Sequence, residues 1–326
     1  MQPLSGLEIP DSSLVCKLNK SLYGLKQTSR QWYAKLSDAL RSRGYTHSLN
    51  DYSLFYRKKE SSIVFIVAYI DDIFLTGTDI EEINNLKEFL HNQFKIKDLG
   101  KLHYFLGMEI LCTAMGVIIS QRKFVLDLLK EYQCTQISSF TSPLDATIKL
   151  RANEGKLLSD PRSYIKLIGK LNFLTHTRLD IAYGVQHLIQ FMQHPREPHM
   201  HTAYHILKYL KKDPTLGLLM TSTDDYKVQA FCDSDWATCP DSRKSVIGHI
   251  VLLGSSPIIW KSKKQETISL SSVEAEYKSL WKVVEELTWL DRLFGEQLAD
   301  MLTKDLTGIK HTTLLDKLAV LISPST

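Results

Sequence analysis

Ile63-Val-Phe-Ile-Val-Ala-Tyr-Ile-Asp-Asp-Ile-Phe-Leu75 is the stretch that decides how the first part of this chain folds. An apolar run from Ile63 to Ile70 stops at Asp71 and Asp72, and a second apolar run, Ile73 to Leu75, follows. Runs of this length bounded by turn-forming residues read as buried strands, so the stretch predicts a hairpin with two carboxylates at its tip. Packing does not explain the pair, because adjacent like charges repel and resist leaving water. A divalent cation does explain it, since Mg²⁺ takes hard carboxylate oxygens together with substrate phosphates. Paired acids in tight turns are also common as solvated groups, and the neighbouring sequence has to decide.

Upstream stand Lys20-Ser-Leu-Tyr-Gly-Leu-Lys-Gln27 and Arg30-Gln-Trp-Tyr33; downstream come Lys97-Asp-Leu-Gly100 and Tyr104-Phe-Leu-Gly-Met-Glu-Ile110. In this order around Tyr69-Ile-Asp-Asp72 they resemble the reverse transcriptase of Ty1/copia-type long-terminal-repeat retrotransposons. Further on, Phe231-Cys-Asp-Ser-Asp-Trp-Ala237, Ser271-Ser-Val-Glu-Ala-Glu-Tyr277 and Gln297-Leu-Ala-Asp-Met-Leu-Thr-Lys304 resemble the ribonuclease H that follows it in the same polyprotein. The resemblance runs from about the first residue to the last. It implies an α+β chain, with a partial reverse transcriptase palm and thumb followed by a shortened ribonuclease H-like α/β domain. The implied partners are an RNA template, a DNA primer, dNTPs and the RNA–DNA hybrid, and the implied cofactor is Mg²⁺.

Composition agrees with two ordinary globular domains. The chain has 326 residues, 44% hydrophobic and 23% charged, which indicates neither disorder nor a fibre. A net charge of +4 is compatible with a polyanionic partner without by itself arguing for one. Five cysteines without a C-x-x-C spacing point to a reducing compartment, with neither a disulfide framework nor a zinc finger. No signal segment and no apolar stretch of membrane-spanning length is read, so an intracellular setting, cytoplasm or nucleus, is expected.

Residues 1–146 read as the C-terminal part of fingers and palm with a thumb, 147–226 as a connection segment, and 227–326 as the ribonuclease H-like domain. Trp32, Leu36 and Leu40 line one face of a helix that Gly44 would end. Asp79 reads as an N-cap with Glu82 in the capping-box position, ahead of Ile83, Leu86, Leu90 and Phe94 at helical spacing. A thumb helix is predicted over 121–133, a linker over 141–156, and a helical stretch over 163–209. From Val228 the pattern changes to strands at 228–232, 246–253, 258–260 and 267–270, followed by a long helix from Ser272 to about Leu293.

Two metal ions about 4 Å apart activate the attacking hydroxyl and stabilise the leaving group in this chemistry. The resemblance implies that Asp71 holds them with an aspartate of another palm strand and that Asp72 supports the site. That second aspartate belongs to a segment preceding the stretch that Met1-Gln-Pro3 resembles, and Asp11, Asp38 and Asp51 are no substitutes, since none ends an apolar strand. Gly24 sits where the incoming nucleotide packs against backbone, a place that needs no side chain, although a simple turn glycine is the alternative. Lys26 and Arg30 either contact triphosphate and template or are solvated face residues. Tyr69 either fills core or touches the primer terminus.

In the second half Asp233 ends an apolar strand, as a first catalytic aspartate should; Asp235 ranks behind it. Ser271-x-x-Glu274 fits a capping box, which gives Glu274 a structural role. Glu276 shares a helical face with Leu280, Val283 and Leu287, so it is expected to turn inward and share a metal with Asp233. Asp300 matches the final catalytic aspartate of the family. Between Leu293-Phe294 and Glu296-Gln297 the family carries several dozen residues, including the third aspartate, and this chain joins the flanks almost directly. The expectation is a Pol fragment in which polymerase and hybrid-cleaving activity are lost, the rival being a non-catalytic nucleic-acid-binding or interaction module. Lys261, Lys263 and Lys264 beside Trp260 form a candidate hybrid-binding patch, with a solvated hairpin end as the alternative. His194, His199, His201 and His205 read as surface histidines, and Cys232 and Cys239 as packing residues without a basic neighbour.

Overall fold

The computed structural model describes residues 26–59, 62–70, 72–136, 138–222 and 226–294. They form two compact units, one comprising the chain up to Asp98 with the part from Trp289 onward, the other running from Leu99 to Thr288.

The first unit opens with α1 (Lys26–Ser42), whose Leu36 and Leu40 are fully buried. Gly44, at φ 81°, ends it. The Tyr45 amide donates back to the Leu40 carbonyl (3.1 Å) and the Gly44 amide to Arg41 (2.9 Å), which satisfies carbonyls the helix leaves open. An antiparallel meander follows, made of β1 (Thr46–His47), β2 (Leu54–Lys59), β3 (Ser62–Tyr69) and β4 (Asp72–Gly77), in that spatial order. In β3 only alternate residues, Val64, Ile66 and Ala68, are buried, so one face meets the core although the sequence is apolar throughout. α2 (Ile80–Phe94) lays Leu86 and Leu90 on the same core with Phe55 and Ile66.

Asp79 caps α2 as its position predicts, accepting from the Glu82 amide at 2.9 Å. Glu82 does not complete a capping box. Its side chain turns into the unit, accepting from Arg57 (2.6 Å) and from the Tyr45 hydroxyl (3.1 Å). Burial and the Glu82 charge push the Tyr45 phenol above its ordinary range. A charged acid at a buried position needs such partners, and Arg57 is close enough to supply one.

The second unit contains two sheets. β5 (Tyr104–Phe105), β6 (Met108–Thr113) and β7 (Gly116–Ser120) precede α3 (Arg122–Glu131). Next come α4 (Pro161–Leu174), a 3₁₀ turn over Leu179–Ile181, α5 (Ala182–Ile189) and α6 (Glu197–Lys212), then β8 (Leu218–Thr221), which pairs with β7 to complete the order β5-β6-β7-β8. Gly116 permits that pairing: its φ is 140°, and a Cβ there would lie 2.1 Å from the Met220 carbonyl oxygen. Leu167, Leu171, Leu188, Ile206 and Leu210 form the helical core. Arg178, 2% exposed, donates to Asp180 (2.7 Å) and to the Asp213 carbonyl (2.9 Å), while the Tyr209 hydroxyl also donates to Asp180 (2.7 Å). Burial pushes the Asp180 carboxyl upward, but Arg178 and Tyr209 outweigh it and hold it below the ordinary carboxylate range.

The last part brings β9 (Val228–Ser234), β10 (Val246–Leu253) and β11 (Ser256–Lys264) into an antiparallel sheet of order β11-β10-β9, followed by α7 (Ser272–Phe294). β11 is one nine-residue strand, and residues 267–270 form no strand. The Gln265 amide takes over there, donating to Ser234 (3.2 Å) and to the Ala275 carbonyl (3.0 Å) and accepting from Ser269 (2.6 Å). These bonds end the ladder and start the approach to α7. Antiparallel sheets mixed with helices agree with the α+β expectation. Among the described residues no helix is long and apolar enough to cross a membrane.

Candidate functional site

Tyr69 and Asp72 are the last paired residues of the β3–β4 ladder, so the chain reverses between them. Both are exposed at the hairpin tip. Ile70 has a φ of 49°, an uncommon left-handed conformation for a β-branched residue. Strain of this kind gathers at ligand clamps and active sites, where surrounding structure holds it. Asp71 and Gly24 lie outside the described residues. Lys26 opens α1, and Arg30 is exposed near the start of that helix.

In the second half, α7 meets the end of β9 through Ser279, whose hydroxyl donates to the Asp233 carbonyl at 3.0 Å. Asp233 and Glu276 are both exposed. The inward turn expected of Glu276 is not found. The buried stripe of α7 runs through Ala275, Ser279, Val283 and Leu290; it shares Val283 with the stripe read from large apolar residues but leaves Leu280 exposed with Glu276. Small side chains explain the difference, because Ala275 and Ser279 let the helix come close to its neighbours while offering little hydrophobic pattern. Glu274 does serve the helix start: its amide donates to Ser271 (3.1 Å), and its carboxylate accepts from the Leu270 amide (2.8 Å) and pairs with Lys278 (2.7 Å). Lys278, then the Leu270 amide, hold its carboxyl below the ordinary range. Asp235 braces the turn after β9, accepting from the Val246 amide (2.6 Å) and from the Thr238 hydroxyl. Asp300 lies outside the described residues.

The lysine patch divides. Strand alternation sends Lys261 and Lys263 to one face of β11 and Lys264 to the other. Lys264 donates to Gln190 (2.9 Å) and to the Cys239 sulfur (2.8 Å), and Trp260 donates its indole N–H to the Thr175 carbonyl (2.8 Å). Trp260 is therefore an anchor to the helical core rather than an open stacking surface. Cys239 has the basic neighbour its sequence surroundings do not show. Burial raises its thiol, but the Lys264 ammonium and the Ser242 hydroxyl (3.2 Å) outweigh that and bring it to about 7. His199 is not a surface residue either. It is buried, its Nδ1 accepts from the Arg196 amide (3.0 Å), and its Nε2 pairs with the Arg151 carbonyl (3.0 Å). Among the described residues no three histidine, cysteine or acidic side chains stand close enough to hold a metal ion.

Residues 1–146 match the family model described as reverse transcriptase (RNA-dependent DNA polymerase). The chain is 39% identical over 295 residues to the retrovirus-related Pol polyprotein from transposon RE1 of Arabidopsis thaliana, covering 90% of this chain and 20% of that protein. It is 31% identical to the corresponding polyprotein from transposon TNT 1-94 of Nicotiana tabacum, covering 91% of this chain and 23% of the relative. An uncharacterized mitochondrial protein of Arabidopsis thaliana is 36% identical over 69% of this chain and 94% of its own length. No solved structure matches. The chain belongs to the reverse transcriptase family carried by copia-type retrotransposon Pol polyproteins. It spans about a fifth of the Pol polyprotein from transposon RE1.

Proposed function

We propose that residues 1–146 are part of a reverse transcriptase that holds an RNA template, a DNA primer and dNTPs without extending the primer, and that the part from residue 227 onward engages an RNA–DNA hybrid without cleaving it. The observation that carries the first half is the Tyr69–Asp72 pair at an exposed hairpin tip inside the stretch matched by the family model. Asp71 and Asp72 are the proposed Mg²⁺ ligands there, with Gly24 and Lys26 toward the nucleotide and Arg30 and Tyr69 toward the nucleic acid. In the second half Asp233, Glu276 and Asp300 are the proposed acidic residues, and Lys261 and Lys263 the proposed contacts to the hybrid.

The donor chemistry suits Mg²⁺, which takes carboxylate oxygens. Among the described residues no three such groups cluster, and Asp71 and Asp300 lie outside those residues. The direct join near residues 294–296 supports binding without hydrolysis and gives weight to the second reading, a nucleic-acid-binding module without chemistry. Fluorescence anisotropy of a labelled RNA–DNA primer–template tests the proposal. Binding is expected in EDTA, strengthened by Mg²⁺ in the unaltered chain and not in Asp72→Asn. Absence of binding in both conditions overturns it.

A further inference from the structure

Between the β10–β11 hairpin and α7 lies a cavity of about 290 Å³. Ile247 and His249 of β10, Lys261 and Lys263 of β11 and Trp281 of α7 line it with three carboxylates, Glu266, Glu285 and Glu286, and its walls include neither Asp233 nor Glu276. The ladder pairs His249 with Lys261 and Ile247 with Lys263, so all four side chains share one sheet face. His249 is 8% exposed, and neither of its ring nitrogens has a hydrogen-bond partner. Buried polar atoms are almost always bonded, so an imidazole left unpaired by the protein in a cavity wall takes its partners from what enters the cavity, water or ligand. Burial holds it below the ordinary histidine range, with Glu286 opposing and Lys261 adding to the effect. A neutral ring offers one donor and one acceptor.

The two lysines are also underused. Lys261 stands 3.8 Å from Glu286 and Lys263 3.6 Å from Glu266, both beyond hydrogen-bond length. Lys278, at the same cavity, is by contrast bonded to Thr267 (3.0 Å), to Ser269 (3.1 Å) and to Glu274 (2.7 Å). Trp281 is 66% exposed, with its indole N–H held by Glu285 at 2.7 Å, which fixes an aromatic face at the rim.

Two available ammonium groups suit a phosphate, and a fixed indole suits a planar ring lying against it. A donor–acceptor pair deeper in suits the hydrogen-bonding edge of a heterocycle. A simple carboxylate leaves the indole face uncovered, and an apolar ligand gives neither lysine a contact closer than its distant glutamate. Small-molecule sites usually measure about 300–1,000 Å³, and this cavity, at the lower edge of that range, is sized for one small ligand rather than a length of chain. We infer that it binds a nucleoside phosphate, with the phosphate at Lys261 and Lys263, the base against Trp281 and the base edge at His249. The inference rests on the proposed function only in sharing Lys261 and Lys263, and a free nucleotide tests it without any hybrid present.

Calorimetric titration of the full chain with AMP, using ribose 5-phosphate as the control without a base, decides it. AMP is expected to bind about tenfold more tightly than ribose 5-phosphate, the difference coming from stacking and the base edge. The Lys261→Gln/Lys263→Gln double variant is expected to weaken both ligands. Trp281→Ala and His249→Phe are expected to weaken AMP alone. Trp281 is exposed, so its variant carries the test if His249→Phe fails to fold. A short single-stranded oligonucleotide that competes with AMP and loses binding in the same variants identifies the source as a strand nucleotide; AMP binding without competition identifies a free nucleotide. Equal binding of AMP and ribose 5-phosphate, AMP binding unchanged in every variant, or no AMP binding at all overturns the inference.

Discussion

The buried hydroxyl of Ser279 donates to the backbone carbonyl of Asp233 at 3.0 Å, which ties α7 to the end of β9. Ser279→Val removes the donor and adds bulk where the helix comes close, so thermal denaturation is expected to show a loss of about 1–3 kcal/mol. Ser279→Ala, which removes only the donor, is expected to lose about 1 kcal/mol. A valine variant as stable as the parent contradicts this role for the bond.

Glu82 accepts from Arg57 and Tyr45 inside the first unit. Glu82→Ala leaves both donors with water or nothing, and denaturant unfolding is expected to show a loss of about 2–4 kcal/mol. Replacing both ends of the pair with apolar residues, Glu82→Leu with Arg57→Met, is expected to lose less than Glu82→Ala alone, because no buried charge is then left unpaired. Simple additivity of the two single losses contradicts the coupling.

Asp180, bonded by Arg178 and Tyr209, has a folded carboxyl pKa below its unfolded value of about 3.9. A depressed carboxylate contributes stability that is fully present above the unfolded pKa and lost as pH falls through the folded one. The stability gap between the parent chain and Asp180→Asn is therefore expected to be constant near neutrality and to shrink below about pH 4. A gap that widens with acid contradicts the assignment.

Cys239, with its thiol at about 7, is expected to alkylate with a pH profile centred there, followed by mass spectrometry of its own peptide. Lys264→Met removes the ammonium 2.8 Å from the sulfur, and the midpoint is then expected to move to the ordinary cysteine value of about 8.5 or above. An unmoved midpoint shows that the lysine does not set it.

The elements that carry their own local signals were legible in the sequence. Asp79 with Leu86 and Leu90 announces α2, and the apolar run broken by Asp71 and Asp72 announces β3 and β4, because capping and periodicity are written over a few adjacent residues. What depends on distant partners was not. Ile268 and Leu270 look like strand positions, yet Leu270 is 86% exposed because Gln265 has already ended the ladder. The α7 stripe was misplaced because Ala275 and Ser279 bury without looking hydrophobic. Lys264 and Cys239 meet only after β11 takes its place in the sheet. His199 is buried because Phe191 stacks on it at 3.9 Å, a contact no helical period shows. At the candidate sites, the apolar runs put Asp72 at a hairpin tip and Asp233 near a strand end, while the surroundings of Glu276, Lys264 and Trp260 emerged only from packing.

The second half of the chain is proposed to bind an RNA–DNA hybrid without hydrolysing it. Incubation of the purified chain with an end-labelled hybrid in Mg²⁺, run in parallel on a native gel and a denaturing gel, tests this most directly. The expected result is a shifted hybrid on the native gel and an intact RNA strand on the denaturing gel. RNA cleavage that disappears in Glu276→Gln contradicts the claim.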